Sequence, residues 1–414
     1  MHLRQGHGPL LAMAVAGAAV ASVLTGCAAD ADPGTVTVLN SATDTAEHEA
    51  NQQFFDRCAK PLGLKVEQIS VPAPQVATKA LRMASSDSLP DILELDGSEL
   101  PQFAETGGLR PLDELGVTTG GLTGSAVSLG SHEGTVYGVA RSVNSLALFY
   151  NTRLLAEAGL EPPATWDELR ATAAALTRGD TYGMAFSASP DADGVYQFLP
   201  FFWSAGGDES RLDGEAGVAA LQLWRDLVEG GSASRAVVNW NQQDVNDQFL
   251  AGRAAMMVNG PWQVPSLSGQ DEVDWAVASI PVPAAGRKPV PPIGGTVMTV
   301  PKGDGEREKR AAGILTCLNS ERNQLAWAER VNNVPTRAAA ARAYRERHPE
   351  LAAFADLVAT ARSRTSEVGT RWPVVQDAIA GAFQSALTGR AGPRQALERA
   401  QRQAGTGEQG AAGR

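Results

Sequence analysis

Thr35-Val36-Thr37-Val38-Leu39 reads as a β-strand, because β-branched residues dominate it and polar and apolar side chains alternate. Past it, Asn40 to Asp44 is polar, and Asp44 with Glu47 three residues on forms an N-terminal cap pattern. Ala46, Ala50, Phe54 and Cys58 follow at helical spacing until Pro61-Leu62-Gly63 stops the helix. Leu64-Lys65-Val66-Glu67-Gln68-Ile69 is a second strand. A helix from about Pro74 to Ala84 leads to a third, Pro90-Asp91-Ile92-Leu93-Glu94-Leu95, which runs into Asp96-Gly97. This order predicts an α/β fold with a mostly parallel sheet covered by helices. In such sheets ligands sit beyond the carboxyl ends of the strands, where helix N-termini also point. That edge singles out Asn40, Ser41, Thr43 and Asp44 after the first strand, and Asp96 and Gly97 after the third. Taken singly, Asp44 reads as well as a helix cap and Asp96 as a turn residue; their common edge is what favours binding.

Upstream of the first strand, Met1-His2-Leu3-Arg4 precedes an uncharged run from Pro9 to Leu24 that closes on Leu24-Thr25-Gly26-Cys27. A basic start, an apolar stretch and small residues before a cysteine form the pattern of a secretory signal. The ending resembles a bacterial lipoprotein signal, which implies removal of residues 1–26 and lipid on the thiol and amine of Cys27. Residues 27–34 then form a tether. The alternative is an uncleaved membrane anchor, against which the run is shorter than the ~20 residues a spanning helix needs.

The remaining chain is long enough for two lobes and, at 43% hydrophobic and 20% charged, builds a real core. Its 35 basic residues lose Arg4 with the signal, leaving 34 against 46 acidic. That balance argues against nucleic acid or anionic lipid as a partner. Cys58 and Cys317 each lie on an apolar helical face, and a disulfide and two buried thiols are both open. His48, His132 and His348 stand isolated, no Cys/His spacing suits a structural metal, and no cofactor is implied.

The middle of the chain is expected to repeat the design. Val136 to Ala140 and Leu146 to Tyr150 read as strands flanking Arg141-Ser142-Val143-Asn144, and a helix from Thr152 to Ala158 ends at Gly159. Thr165 with Glu168 forms a capping box. Further helices are expected around Ala216–Glu229 and Gln242–Ala251, with a buried strand over Ala254–Val258. The Pro- and Gly-rich run from Pro281 to Pro292 reads as a crossing between lobes, and Val331-Asn332-Asn333-Val334-Pro335 as a second. Thr296 to Val300 is a strand. From Ala404 the chain is Gly-, Ala- and Gln-rich and is expected to be disordered.

The order of motifs resembles the family 1 extracellular solute-binding proteins of ABC transporters, a group that includes carbohydrate-binding lipoproteins. The resemblance rests on Leu-Pro-Asp-Ile (Leu89 to Ile92), Gly-Gly-Leu-x-Pro-Leu-Asp (Gly107 to Asp113) and Leu-Phe-Tyr-Asn (Leu148 to Asn151). It extends through Ala158-Gly159-Leu160 with Thr165 to Leu169, Phe249 to Met256, Asn259-Gly260-Pro261-Trp262, Gly294-Gly295 and Asn333 to Arg337. Each motif is weak alone; together they run in order along almost the whole chain after the signal. The chain departs from the pattern at Val139-Ala140, where a proline is usual. The resemblance implies a type II periplasmic-binding-protein fold, two α/β lobes with a ligand cleft between them. Residues 35–140 with 288–333 then form lobe 1, and 141–287 with 334–403 lobe 2. It further implies a monomeric importer component on the outer face of the cell membrane that hands a di- or oligosaccharide to ABC permease subunits.

A sugar needs hydrogen-bonding groups for its rim and an aromatic ring for its face. Asn40, Asp44, Asp96, Arg141, Asn144 and Asn259 are the polar candidates, with Gly294 and Gly295 beside them. Trp203, Trp240, Trp262 and Trp372 are the stacking candidates, and each reads equally as a packing residue. Trp203 and Trp262 lead because they stand beside glycines that suggest turns. Trp166, Trp224, Trp275 and Trp327 read as packing residues. The same fold could take a polyamine in an acidic cleft. A secreted carbohydrate-active hydrolase is the rival from another class, although the chain has no Gly-x-Ser-x-Gly elbow and no nucleophile paired with a histidine.

Overall fold

The computed structural model describes residues 34–43, 45–269 and 273–411. Residues 1–26, the expected lipidation site Cys27, the expected tether apart from Gly34, and Asp44 lie outside the described residues. Among the described residues, no helix is long and apolar enough to cross a membrane.

The chain forms two α/β lobes. In the first, Thr35–Asn40 pairs in parallel with Lys65–Ser70 on one side and Ile92–Asp96 on the other, as the alternation predicted. Thr296–Thr299 returns late in the chain to lie antiparallel between Ile92–Asp96 and Gly138–Val139, completing five strands. Helix Thr45–Ala59 buries Phe54, Phe55 and Cys58 against Ile314 and Leu315 of helix Gly305–Leu318. A disulfide between Cys58 and Cys317, with Cα atoms 5.6 Å apart, ties these two helices together. This settles the pairing that the sequence left open.

The second lobe does not repeat the parallel design. Ala147–Asn151 is flanked by Trp275–Ala278 and Met256–Asn259, and both run antiparallel to it. An apolar run specifies a buried strand but carries no record of its direction, so the sequence could not decide this. Helices pack around a core centred on Trp224, which is fully buried with Phe186 and Phe198 at ring distances of 4.4 and 5.1 Å. Helix Ala192–Ser204 is enclosed on every side after its first turns, in keeping with its run of Phe, Leu and Trp. The capping box forms as expected: Glu168 N donates to Thr165 Oγ1, and Thr165 N donates to Glu168 Oε2.

Two assignments change. Helix Pro393–Ala411 runs through Ala404, where composition suggested disorder. Ala396, Leu397, Ala400 and Ala404 recur at helical spacing and bury themselves on the second lobe's core, and Ala and Gln favour helix. Helices Ala338–Arg347 and Ala352–Ala359 do not belong to lobe 2 alone. They pack on Glu321–Val331 and Gly124–Leu129 of the first lobe, while the Phe354 ring lies 5.8 Å from Phe149 on the second sheet.

Between the lobes the crossing segments lie side by side as a ribbon. Ser142–Val143 pairs antiparallel with Val334–Pro335, and Asn144 exchanges backbone hydrogen bonds with Gly294. Arg362 extends the ribbon by donating its N–H to Pro291 and accepting from Ile293 N. Ser145 Oγ adds a bond to the Pro292 carbonyl at 2.6 Å.

Candidate functional site

Where the ribbon meets the carboxyl edge of the first sheet there is a cavity of about 170 Å³. Ser41 comes to it from the end of the first strand, Glu94 from the third, and Thr296 from the strand beside that. The crossings supply Arg141, Asn144 and Asn333, and helix Glu321–Val331 supplies Trp327. Arg141 is 6% exposed; its guanidinium lies 3.8 Å from the Trp327 ring centroid, and Nη2 donates to Asn51 Oδ1 at 2.7 Å. Among the described residues its Nη1 has no partner. Burial lowers the Arg141 pKa to about 10, against the opposing pull of Glu94 and Glu47, so the group remains charged at neutral pH. Glu94 accepts from Thr296 Oγ1 through Oε1 at 2.6 Å, and its Oε2 has no partner.

Next to the cavity a chain of polar contacts runs from one lobe to the other. Asp96, at the end of the third strand, accepts from Ser98 N and Ser98 Oγ and pairs with Arg364 Nη2 at 2.7 Å. Burial works to raise the Asp96 carboxyl, but Arg364 and the Ser98 hydrogen bonds hold it below its ordinary value. The Arg364 guanidinium lies 5.3 Å from the ring of Tyr196 in the second lobe, and Tyr196 OH donates to Asn144 Oδ1 at 3.2 Å. Burial pushes the Tyr196 phenol well up, so it stays a donor. Glu99, one turn beyond Asp96, is pushed up to about 7 by burial and by the Asp96 charge. On the same side Arg362 pairs with buried Glu209 at 2.6 Å and lies over Trp203. The whole arrangement can hold a polar solute by hydrogen bonds from both lobes at once.

The bacterial extracellular solute-binding protein family matches this chain over residues 53–355. The chain belongs to that family. Among solved structures, this solute-binding protein resembles the GacH receptor of Streptomyces glaucescens, solved unliganded and with acarbose. The TM-score is 0.76 and the identity 26%, over 89% of this chain and 96% of the other. It also resembles the cyclic α-maltosyl-1,6-maltose binding protein of Arthrobacter globiformis. There the TM-score is 0.79 and the identity 25%, over 90% of this chain and 98% of the other. A Brucella abortus protein assigned as a binding protein is 25% identical over 272 residues, 63% of this chain. The solute-binding protein thus spans 65% of the length of that curated relative. The fold is that of the periplasmic binding proteins, two α/β lobes around a ligand cleft, and the family is extracytoplasmic.

Of the residues singled out by sequence, the solute-binding protein brings Ser41, Arg141, Asn144 and Gly295 to the cavity. Asp96 is next to it, Gly97 N donates to the Gly295 carbonyl, and Gly294 fits so closely that a Cβ would collide with Asn144 and Tyr196. Trp262 is half-buried with its ring 6.5 Å from Tyr196. Other positions are committed elsewhere. Asn40 spends its amide on Gln68, Ser70 and Ala42 N, and Asn259 on the Gln242 carbonyl and Gly260 N. Thr43 is exposed to solvent. Trp203 does not sit in a turn: it belongs to helix Ala192–Ser204 and is buried, with Arg362 over its ring. Trp372 is core, its Nε1 donating to Gln376, and Trp240 is partly buried, packed against two hydrophobic clusters that both include residues of the second sheet.

The sequence reading missed Glu94, Thr296, Asn333, Tyr196 and Arg364, and it placed Trp327 only as packing. One signal was present. Pro90-Asp91-Ile92-Leu93-Glu94-Leu95 is a strand too apolar to have a solvated face, so an acid in its middle needed a partner.

Proposed function

We propose that this protein is the solute-binding component of an ABC importer that captures a carbohydrate, a di- or oligosaccharide, by closure of its lobes. The solute is then delivered unaltered to the membrane permease. The observation that carries this reading is the position of the polar groups. Arg141, Asn144 and Asn333 belong to the ribbon, Glu94 and Asp96 to the first lobe, and Tyr196 to the second. A solute that bonds to all three parts favours the arrangement in which they are close, which is how a ligand shifts a hinged pair toward closure. The ligand named for the Arthrobacter relative, cyclic α-maltosyl-1,6-maltose, supports a saccharide. So does the supply of donors and acceptors beside the half-buried Trp262.

The Leu24-Thr25-Gly26-Cys27 sequence supports cleavage before Cys27, lipid on that residue and work at the outer face of the cell membrane. An acidic surface would leave the acyl chains to do the anchoring, and more than one chain is needed for that. A thermal-shift screen over neutral saccharides, with spermidine as the rival class, tests the ligand. A ligand at a hundredfold excess over its Kd stabilises the folded state by about 2.7 kcal/mol. Stabilisation by spermidine and by no saccharide would replace the carbohydrate reading with the polyamine one. Reducing-sugar assay of the incubated ligand tests the hydrolase, which release of product would favour.

A further inference from the structure

Three polar atoms that lack a hydrogen-bond partner among the described residues belong to side chains lining one cavity: Arg141 Nη1, Glu94 Oε2 and Asn333 Oδ1. Arg141 and Glu94 are 6% and 7% exposed, and two opposite charges so deeply buried would be expected to pair with each other. They form no ion pair. Arg141 is instead held over Trp327 and by Asn51, and Glu94 is held by Thr296. Leaving a buried polar group unpaired is costly, so three around one cavity mark a place built for an occupant.

We propose that this cavity is an end subsite for a single neutral ring of a polyhydroxylated solute, where Arg141 and Glu94 read two adjacent hydroxyls. This rests on the carbohydrate reading above and narrows it. Arg141 can only donate, while ionised Glu94 and Asn333 Oδ1 can only accept. A hydroxyl does both. One member of a vicinal pair accepts from Arg141 while its neighbour donates to Glu94, and a third hydroxyl can donate to Asn333. Charged substituents fit badly. An anionic group faces Glu94 and Glu47, and a cationic group faces the Arg141 guanidinium; Arg141 and Glu94 themselves are buried too deeply for water to screen them well. The cavity, at about 170 Å³, lies below the ~300–1,000 Å³ of pockets for drug-sized ligands, which suits one ring and leaves further units to the open part of the cleft. The Trp327 face toward Arg141 is already covered, so recognition at this end is by hydrogen bonds rather than by stacking.

The test is titration calorimetry on the full folded chain with glucose, galactose, mannose, maltose, trehalose and maltotriose. The tightest binder is then compared with its 2-amino and uronic-acid forms. Glu94→Gln keeps the shape and removes the charge; Arg141→Lys keeps a charge and loses the fork. We expect at least tenfold weaker binding for both charged forms and for both variants, with circular dichroism and unfolding midpoints confirming that the variants fold. Wild-type affinity in folded Glu94→Gln, or equal affinity for the charged and neutral forms, overturns the subsite while leaving the carbohydrate reading intact. Should no neutral saccharide bind the folded wild type, the carbohydrate reading fails and the subsite with it.

Discussion

Glu209 gives the structure a stability signature that can be measured without knowing the ligand. Its side chain is fully covered, and one oxygen lies 2.6 Å from Arg362 Nη2. Burial pushes the carboxyl up to about 7 from an ordinary 4.5; the Arg362 charge opposes the rise and the nearby Asp208 adds to it. The native protein therefore holds this proton more tightly than the unfolded chain does. The stability it contributes is complete below about pH 4.5 and is lost as pH rises through about 7. Linkage between those two values gives a loss on the order of a few kcal/mol from pH 5 to pH 8. Glu209→Gln has the same shape and does not titrate, so it should remove that part of the pH dependence. Glu99, which also titrates near 7, contributes equally to wild type and variant and cancels from the difference. Urea unfolding followed by tryptophan fluorescence at pH 5 and pH 8 measures both proteins. Equal pH dependence in the two would refute the argument, and so would a wild type that gains stability relative to the variant as pH rises.

Three further outcomes are expected. Replacing both Cys58 and Cys317 by Ala removes a link across 259 residues. It should lower stability by about 2–4 kcal/mol, with a loop-closure ceiling of about 5.6 kcal/mol, read as a drop in melting temperature that added reductant reproduces in the wild type. Thr165→Ala deletes one half of a formed capping box and should cost about 1 kcal/mol in urea unfolding, with saccharide affinity unchanged because the cap is remote from the cavity. Gly294→Ala places a methyl against Asn144 and Tyr196 in the ribbon. It should destabilise by roughly 1–3 kcal/mol and weaken ligand binding more than tenfold by calorimetry.

The first lobe was legible because its signals are local. Strand alternation and helical spacing over residues 35–97 can be read within a window of a dozen residues, and Thr35–Asn40, Lys65–Ser70 and Ile92–Asp96 follow them closely. The topology of that lobe then pointed to Ser41 and Asp96, since strand ends were enough to place them. What the sequence withheld was long-range. The antiparallel second sheet depends on chain direction, and Arg364 reaches Asp96 across 268 residues. Glu94 stood out as an acid in an apolar strand, but its partner Thr296 lies 202 residues away and could not be read from a local window. Trp203 misled for a local reason. Gly206-Gly207 does mark a turn, but the helix ends at Ser204, just far enough along to take the tryptophan into the core.

Small-angle scattering with and without a saturating saccharide tests the hinged capture of solute most directly. The radius of gyration should fall on binding, as the second lobe turns about the ribbon of Ser142–Val143, Gly294 and Val334–Pro335. A radius that stays constant while calorimetry reports full occupancy would contradict the account.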